Sequence, residues 1–248
     1  MSFDEPVRPD GAFTIGFIAA LARECTSLRR QLPSAQAWQV FQSGPGAVRA
    51  AAAANRAIDA GAGLLVSWGL AGGLSAAVAP GTVVLAKRVL AEGEVPLRVD
   101  AAWHSRLATL ADELAVDGGD LLSVGEPLES PAAKRAAAAA SNAVAVDMES
   151  AGIANAAARA RVPFVVLRVV IDGVDDALPA GAQHWLDEQG RTRASAVLRA
   201  VVDARQWRAL ANMGARYRVA SGVLDRLARA LAAPRMLGTG AAALPAGS

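Results

Sequence analysis

Four charged residues stand at the ends of apolar runs in one segment of the chain, VDMESAGIANAAARARVPFVVLRVVIDGVDD. Asp147 and Glu149 follow the first run, and Arg168 and Asp172 lie towards the end of the second. A carboxyl group in a dry site can hold or donate a proton, and an arginine can bind an anion. Because open α/β sheets bind ligands at the carboxyl ends of their strands, this placement favours an active site there.

Each of these residues also has a structural explanation, which the sequence alone leaves open. Asp147 or Glu149 could begin a helix, where a negative charge interacts favourably with the helix dipole. Arg168 and Asp172 could form an ion pair that serves only the fold.

The segments that must position these residues alternate between apolar runs and helical patterns. Apolar or β-branched runs predict strands at Phe13–Ala20, Trp38–Gln42, Leu64–Trp68, Thr82–Ala86, Asp120–Gly125, Ala143–Met148 and Pro163–Val170. Helical spacing or propensity predicts helices at Leu21–Leu32, Ala47–Ala62, Asp100–Val116, Glu129–Ser141, Glu149–Arg161 and Arg191–Leu231. GLAGGL, from Gly69 to Leu74, is predicted to be a loop.

This alternation predicts a three-layer α/β/α fold with a central, mostly parallel mixed sheet. No internal repeat or linker divides the chain, so we expect one domain over residues 1–248, with poorly ordered tails at 1–12 and 236–248. The hydrophobic fraction of 53% is high enough for a sizeable core.

Composition excludes several classes of protein. The single cysteine, Cys25, excludes an internal disulfide framework, and the polar N-terminus shows no secretory signal. Ala60–Ala86 carries no charge, but its glycines and proline favour strand, loop and strand over a membrane helix. We therefore expect a soluble, cytoplasmic protein.

The net charge of +2 is too small to suggest binding to nucleic acid. The charge is nevertheless uneven, since Arg191–Arg235 contains ten Arg and two Asp, a local net charge of +8. Two explanations stay open: the solvated face of C-terminal helices, or a patch that touches anionic lipid.

The sequence predicts neither a metal nor an organic cofactor. GLAGGL lacks the spacing of a dinucleotide fingerprint, and His104 and His184 lack the spacing of metal ligands. Cys25 has no evident catalytic partner.

The order IGFIAALARE, SGPG, SWGLAGGL, VDMESAGIA and VPFVVLRVVIDGVDD resembles the superfamily of purine nucleoside phosphorylases and methylthioadenosine/S-adenosylhomocysteine nucleosidases. The resemblance extends from Ile15 to Asp176. Within that superfamily the chain is most similar to the hopanoid-associated phosphorylases, proposed to remove adenine from adenosylhopane. The narrower likeness depends on GLAGGL, VDMES, the turn from Asp172 to Ala182, LDEQGR and RQWRAL.

The resemblance implies cleavage of the bond between ribose and adenine, and a role for each matching residue. Asp172 would hold or donate a proton at purine N7, and Glu149 would accept hydrogen bonds from both ribose hydroxyls. Met148 would pack against the ribose. Glu24 would position an attacking water, and Arg168 would orient an anion or pair with Glu24.

The resemblance leaves open whether water or inorganic phosphate attacks, and the hopanoid likeness slightly favours phosphate as a co-substrate. Donors for phosphate could come from the SGPGAVRA turn, including Ser43, Gly44 and Arg49, with Arg23 and Arg168 as further candidates. Gly72 completes the expected substrate-binding residues.

Two residues depart from the pattern of the superfamily. Leu70 stands where relatives usually have a serine that contacts phosphate or water, which puts the phosphate site in doubt. Ile171 stands where many relatives have serine, and an apolar neighbour would raise the pKa of the acid next to it.

Partners follow from the same resemblance. We expect a nucleoside substrate and a homo-oligomer. A lipid-linked substrate, and contact of the Arg-rich C-terminal helices with the inner face of the membrane, are further options. A catalytically silent nucleoside-binding protein on the same scaffold is the remaining alternative.

Overall fold

The computed structural model describes residues 14–32, 38–112, 114–178 and 207–232, apart from the side chains of residues 111, 112 and 207–210. The strands are β1 Thr14–Ala19, β2 Trp38–Gln42, β3 Ala62–Gly73, β4 Val83–Leu85, β5 Arg88–Leu90, β6 Leu97–Arg98, β7 Val116–Asp117, β8 Leu121–Ser123, β9 Ala145–Asp147 and β10 Phe164–Asp172. The helices are α1 Ala22–Gln31, α2 Ala47–Asp59, α3 Ala101–Ala108, α4 Pro131–Ser141, α5 Ser150–Ala160 and α6 Trp207–Ala232, with a short 3-10 helix at Thr109–Asp112.

The strand β3 is the centre of the sheet because three strands pair with it. Its first part pairs in parallel with β1, and β10 pairs in parallel along most of its other edge. At its end, Gly72 and Gly73 pair antiparallel with β9. In this register Gly72 lies between Val146 of β9 and Asp172 of β10, so the ends of these strands meet at one place.

Helices cover both faces of the sheet and bury two apolar clusters. On one face, residues of α1, α3 and α6 such as Leu28, Trp103 and Leu224 pack on β1, β3 and β10. On the other face, small residues of α2 such as Ala54 pack against α5 and the sheet, and Ile153 of α5 belongs to the same cluster. The prediction of a three-layer α/β/α fold with a mostly parallel mixed sheet is therefore confirmed.

The prediction that GLAGGL forms a loop is wrong, because β3 continues through Gly73. Strand pairing explains the difference: Gly69 and Ala71 pair with β10, and Gly72 and Gly73 pair with β9. Glycine has a low intrinsic preference for strands, but two-sided pairing outweighs that preference here.

The helix predicted at Asp100–Val116 is also shorter than expected. It ends at Ala108 and continues as the 3-10 helix, and Val116 already belongs to β7, which pairs with β4. Residues 191–206 of the predicted C-terminal helix, His184 and both predicted tails lie outside the described residues.

The uncharged segment at residues 60–86 contains β3 and β4, in agreement with the strand interpretation. Among the helices of the described ranges, none is both long enough and apolar enough to cross a membrane.

We expect Gly152→Ala to destabilise the protein, because α2 and α5 touch at this residue. A methyl group there would overlap the backbone carbonyl of Ala47. Overpacking of this kind costs on the order of 1–3 kcal/mol. Gly214→Ala in α6 is the control, because its methyl group meets nothing within 4 Å, and it should stabilise by about 0.5–1 kcal/mol. Urea unfolding of both variants measures the difference, and equal stability of the two would contradict the close contact.

Candidate active site

A cavity of about 270 Å³ opens where β3, β9 and β10 meet. Its polar lining residues are Glu24, Lys134, Asp147, Glu149 and Asp172. Apolar residues form the rest of the wall, including Leu21, Leu70, Val124, Leu128, Ile171 and Leu178. Four carboxylates and one ammonium therefore face a space that is otherwise mostly apolar.

Arg168 lies behind this wall and compensates its negative charge. Its side chain is 1% exposed, and one guanidinium nitrogen lies 2.6 Å from Asp147 and 3.6 Å from Glu149. It also donates hydrogen bonds to the hydroxyl oxygens of Ser67 and Ser150. Burial lowers the pKa of Arg168, but the neighbouring carboxylates raise it by more, so the group stays charged.

Asp147 joins this ion pair to the start of α5. Its carboxylate accepts the N–H groups of Glu149 at 3.3 Å and of Ser150 at 3.2 Å, and the Ser150 hydroxyl donates to it at 2.5 Å. The structural explanation therefore applies to both acids: Glu149 immediately precedes α5, and the Asp147 carboxylate accepts N–H groups at the start of that helix while it also pairs with Arg168.

Glu149 is held between the same arginine and the start of α2. Its Oε1 accepts the N–H of Gly46 at 3.0 Å. Burial raises the pKa of Glu149 to about 7, against the opposing effect of Arg168 and with a further increase from Asp147. A carboxyl group with this pKa changes its protonation state near neutral pH.

Glu24 enters the cavity from the first turn of α1. Its two carboxylate oxygens accept the N–H groups of Leu21 and Leu70, both at 2.8 Å. Burial raises the pKa of Glu24, and Arg168 lowers it in part. At Gly69, φ is +152°, and an added Cβ would lie 2.5 Å from the Glu24 carboxylate and 2.6 Å from the Arg168 guanidinium. A glycine in β3 is therefore needed to let these two side chains approach.

Asp172 ends β10 and pairs with Lys134 of α4. Lys134 is 1% exposed, and its ammonium group also donates to the carbonyl oxygens of Gly173 at 2.9 Å and of Asp176 at 3.0 Å. The two charges neutralise one another inside the cavity wall. The alternative of a structural ion pair between Arg168 and Asp172 is wrong, because each has another partner.

The other residues expected from the sequence divide into two groups. Met148, Gly72, Leu70 and Ile171 line the cavity together with Glu24, Glu149 and Asp172. Ser43, Gly44, Arg49 and Arg23 do not line it.

The cationic candidates of the second group are engaged elsewhere. Arg49 is exposed and donates to the carbonyl of Pro45, and Arg23 pairs with Asp225 of α6 at 2.9 Å. Ser43 donates its hydroxyl to the carbonyl of Gly44.

Sequence reasoning missed Lys134 and the pairing of Asp147 with Arg168. A signal for Lys134 was present, because the chain has only two lysines and one of them interrupts the alanine-rich PAAKRAAAAAS. No sequence signal distinguished Asp147 from Asp172 as the partner of Arg168, since both stand at strand ends.

Comparison with known proteins identifies the family. The family model described as the phosphorylase superfamily matches residues 35–204, which is more than half of the chain. The chain therefore belongs to the phosphorylase superfamily, and the prediction of an enzyme of the nucleoside phosphorylase and nucleosidase group is confirmed. No curated protein matches the sequence significantly.

Solved structures share the fold at low identity. The methylthioadenosine/S-adenosylhomocysteine nucleosidase of Neisseria meningitidis, in complex with methylthio-immucillin-A, is 20% identical with a TM-score of 0.68, over 88% of this chain and 98% of that one. Futalosine hydrolase of Helicobacter pylori is 15% identical with a TM-score of 0.68, over 87% and 95%. The nucleosidase of Colwellia psychrerythraea, in complex with adenine, is 18% identical with a TM-score of 0.67, over 92% and 95%.

We expect Glu149→Gln to weaken the pH dependence of stability. The pKa of Glu149 rises from its ordinary value of 4.5 to about 7 in the folded protein. Its stabilising contribution is therefore complete below 4.5 and is lost as the pH rises through 7, by up to about 1.4 kcal/mol per pH unit. Between about pH 5 and pH 7, urea unfolding should show a larger loss in the wild type than in the variant, since Glu24 is the same in both. If the free energy of unfolding changed with pH equally in both proteins, Glu149 would not have the raised pKa.

Proposed function

We propose that this protein cleaves the N-glycosidic bond of a purine nucleoside. The observation that carries this proposal is the meeting of Glu24, Glu149 and Asp172, from three separate elements, on one largely apolar cavity. Membership of the phosphorylase superfamily supports it, as does the adenine bound to the Colwellia psychrerythraea nucleosidase of the same fold.

The three carboxylates suit the charges that this reaction develops. As the bond breaks, positive charge grows on the ribose ring and negative charge on the departing base. Asp172 would place a proton at purine N7, where general acid catalysis contributes about 10²–10⁴ in rate. Glu149 would accept both ribose hydroxyls, since a carboxylate has two acceptor oxygens for a cis-diol. Met148 would pack against the sugar.

Water is the nucleophile that the charges of the cavity favour. Glu24 is a buried carboxyl with a raised pKa, which brings a base closer to the operating pH. A phosphate dianion would meet Glu24, Asp147 and Glu149, whereas the one cation among the described lining residues, Lys134, pairs with Asp172.

Phosphate is the second candidate, and the start of α2 is the observation that favours it. The helix begins at Ala47 beside the cavity-lining Pro45, and backbone N–H groups at a helix start can hold an anion. The likeness to hopanoid-associated phosphorylases points the same way. In that case Arg49, one turn into α2, would be the candidate side chain.

The apolar wall favours a nucleoside with an apolar 5′ substituent. Leu21, Leu70, Val124, Leu128 and Leu178 line the cavity around the carboxylates. A methylthio group and a hopanoid chain are both apolar, so methylthioadenosine and adenosylhopane are the substrates to compare. A lipid-linked substrate would bring the protein to the inner face of the membrane.

Membrane contact and a homo-oligomer stay predictions. The apolar stripe of α6 is occupied by the core, where Leu224, Leu227 and Leu231 are buried. The exposed cationic side chains of the described part of α6 are Arg218, Arg226 and Arg229, and they are the groups that an anionic surface would attract. Co-sedimentation with anionic liposomes at low salt tests this contact, and a protein left in the supernatant would exclude it.

We expect adenine release from a 5′-modified adenosine, and loss of that release in Asp172→Asn. The amide cannot supply a proton, so the rate should fall by about 10²-fold or more. The substrates are methylthioadenosine, S-adenosylhomocysteine and adenosylhopane, and Asp175→Asn, in the exposed turn that follows, is the matched control. An Asp172→Asn variant as active as the wild type would show that the site is wrongly assigned.

We expect Glu24→Gln to lose hydrolysis while it keeps its affinity for adenine, because the amide cannot accept a proton from water. The comparison is made with and without inorganic phosphate. Release that requires phosphate, and a KM for phosphate that rises in Arg49→Ala, would instead establish the phosphorylase.

A further inference from the structure

Lys134 is a buried cation that donates all of its hydrogen bonds to groups at and just after the end of β10. Its Nζ donates to the carboxylate of Asp172 and to the carbonyl oxygens of Gly173 and Asp176. An ammonium group has three hydrogens to donate, so these three acceptors satisfy it. The residue belongs to α4, and it also lines the cavity. Lys134 is thus the described cation nearest to the proposed acid.

The residue type at this position matters for proton transfer. The chain has 23 arginines and only two lysines. Arginine does not release its proton in proteins, whereas a buried lysine readily shifts its pKa. Removing an ion from water costs several kcal/mol, which must be offset by its partners. A neutral donor could hydrogen-bond the same turn without that desolvation cost. A lysine here combines a charge for Asp172 with a proton that can leave.

Charged residues of β10, of the turn after β10 and of α6 act on the pKa of Lys134. Burial lowers its pKa to about 8, Asp176 raises it, and Arg216 of α6 lowers it. Arg216 and Asp176 form an ion pair at 2.5 Å, so their effects largely offset each other. The ion pair with Asp172 favours the ammonium form. The remaining charged groups around the cavity and the turn are Glu24, Asp147, Glu149, Arg168, Arg135 and Asp175.

We propose that Lys134 is a positioning residue for the proposed reaction, and that it also supplies the proton that Asp172 passes to the purine. In the free enzyme its ammonium group holds Asp172 as an oriented carboxylate. This inference rests on the proposed function and assigns the origin of the proton within it.

In the proposed reaction one proton passes from Lys134 through Asp172 to the purine as the glycosidic bond breaks. The bond between ribose C1′ and purine N9 breaks, and its electron pair stays with the base. A proton leaves Lys134 Nζ for the carboxylate of Asp172, and the Asp172 proton passes to purine N7. Lys134 ends neutral, and water adds to C1′ while its proton goes to Glu24. Solvent then returns the Glu24 proton to Lys134, so the net reaction is hydrolysis.

The first experiment compares the pH dependence of kcat in the wild type and in Lys134→Met. In the wild type, kcat should fall as the pH rises above about 8, where Lys134 loses its proton. In the variant, Asp172 must carry its own proton, which a buried, unpaired carboxyl does more readily at low pH. We expect kcat to drop about 10²-fold at about pH 8 and much less at about pH 5, with KM little changed.

Arg135→Met is the matched control. This neighbouring residue of α4 pairs with Asp175 in the same turn, but that pair is largely exposed. Its pH profile should follow the wild type. A Lys134→Met variant that loses the same factor of kcat at every pH would overturn the proposal, because a purely structural role has that signature.

A second measurement works without turnover. Infrared difference spectra between each background and its Asp172→Asn variant give the titration of the Asp172 carboxyl group. In Lys134→Met we expect the protonated carboxyl band to persist to higher pH than in the wild type, and identical titrations would overturn the proposal. If the wild type cleaves no nucleoside, the proposed function and the proton transfer both fail, whereas the titration still shows whether Lys134 holds Asp172 as a carboxylate. A thermal melt shows whether each variant is folded.

Discussion

A single buried guanidinium group makes the rest of the site possible. The carboxylates of Asp147 and Glu149 contact Arg168, and its charge lowers the pKa of Glu24 on α1 in part. Without this cation, the acids would lie uncompensated in an apolar interior, and breaking a buried pair in this way costs about 3–5 kcal/mol. The glycine at residue 69 of β3 has the same cause, since any side chain there would displace Glu24 or the guanidinium. The candidate active site and the packing around β3 therefore depend on the same buried guanidinium group.

The two cations of the site differ in what their chemistry allows. Arg168 stays charged at every pH at which the protein is folded, so it fixes the electrostatic background. Lys134 pairs with Asp172, and a buried lysine, unlike an arginine, can release its proton. Glu149 lies 3.6 Å from the arginine, and its pKa of about 7 shows that burial outweighs the opposing effect of that charge. This division gives each carboxyl group a distinct environment in a small space, which is how acids and bases acquire different roles.

The sequence predicted the elements that depend on local pattern. Apolar runs indicated β1, β3 and β10, and helical propensity indicated α4, which begins at Pro131, where the Ser130 side chain accepts the N–H of Ala133. Glu24, Glu149, Met148, Gly72 and Asp172, all expected from the resemblance, lie on one cavity. Contacts between residues far apart in the sequence could not be predicted from the local hydrophobic pattern. GLAGGL is a strand only because two other strands pair with it, and the partners of Arg168 and Asp172 depend on strand and helix placement.

The parallel pairing of β3 with β10 has a consequence for how the chain forms its candidate active site during folding. Ser67 and Arg168, which bond across these strands, are separated by 101 residues of sequence. Loop closure over such a distance is entropically costly, and non-local pairings of this kind form slowly during folding. Arg168 and Asp172 both arrive with β10, so the compensating cation and the proposed acid enter together. During synthesis β3 emerges from the ribosome before β10, so the edge of β3 that β10 covers lacks this partner until β10 has emerged.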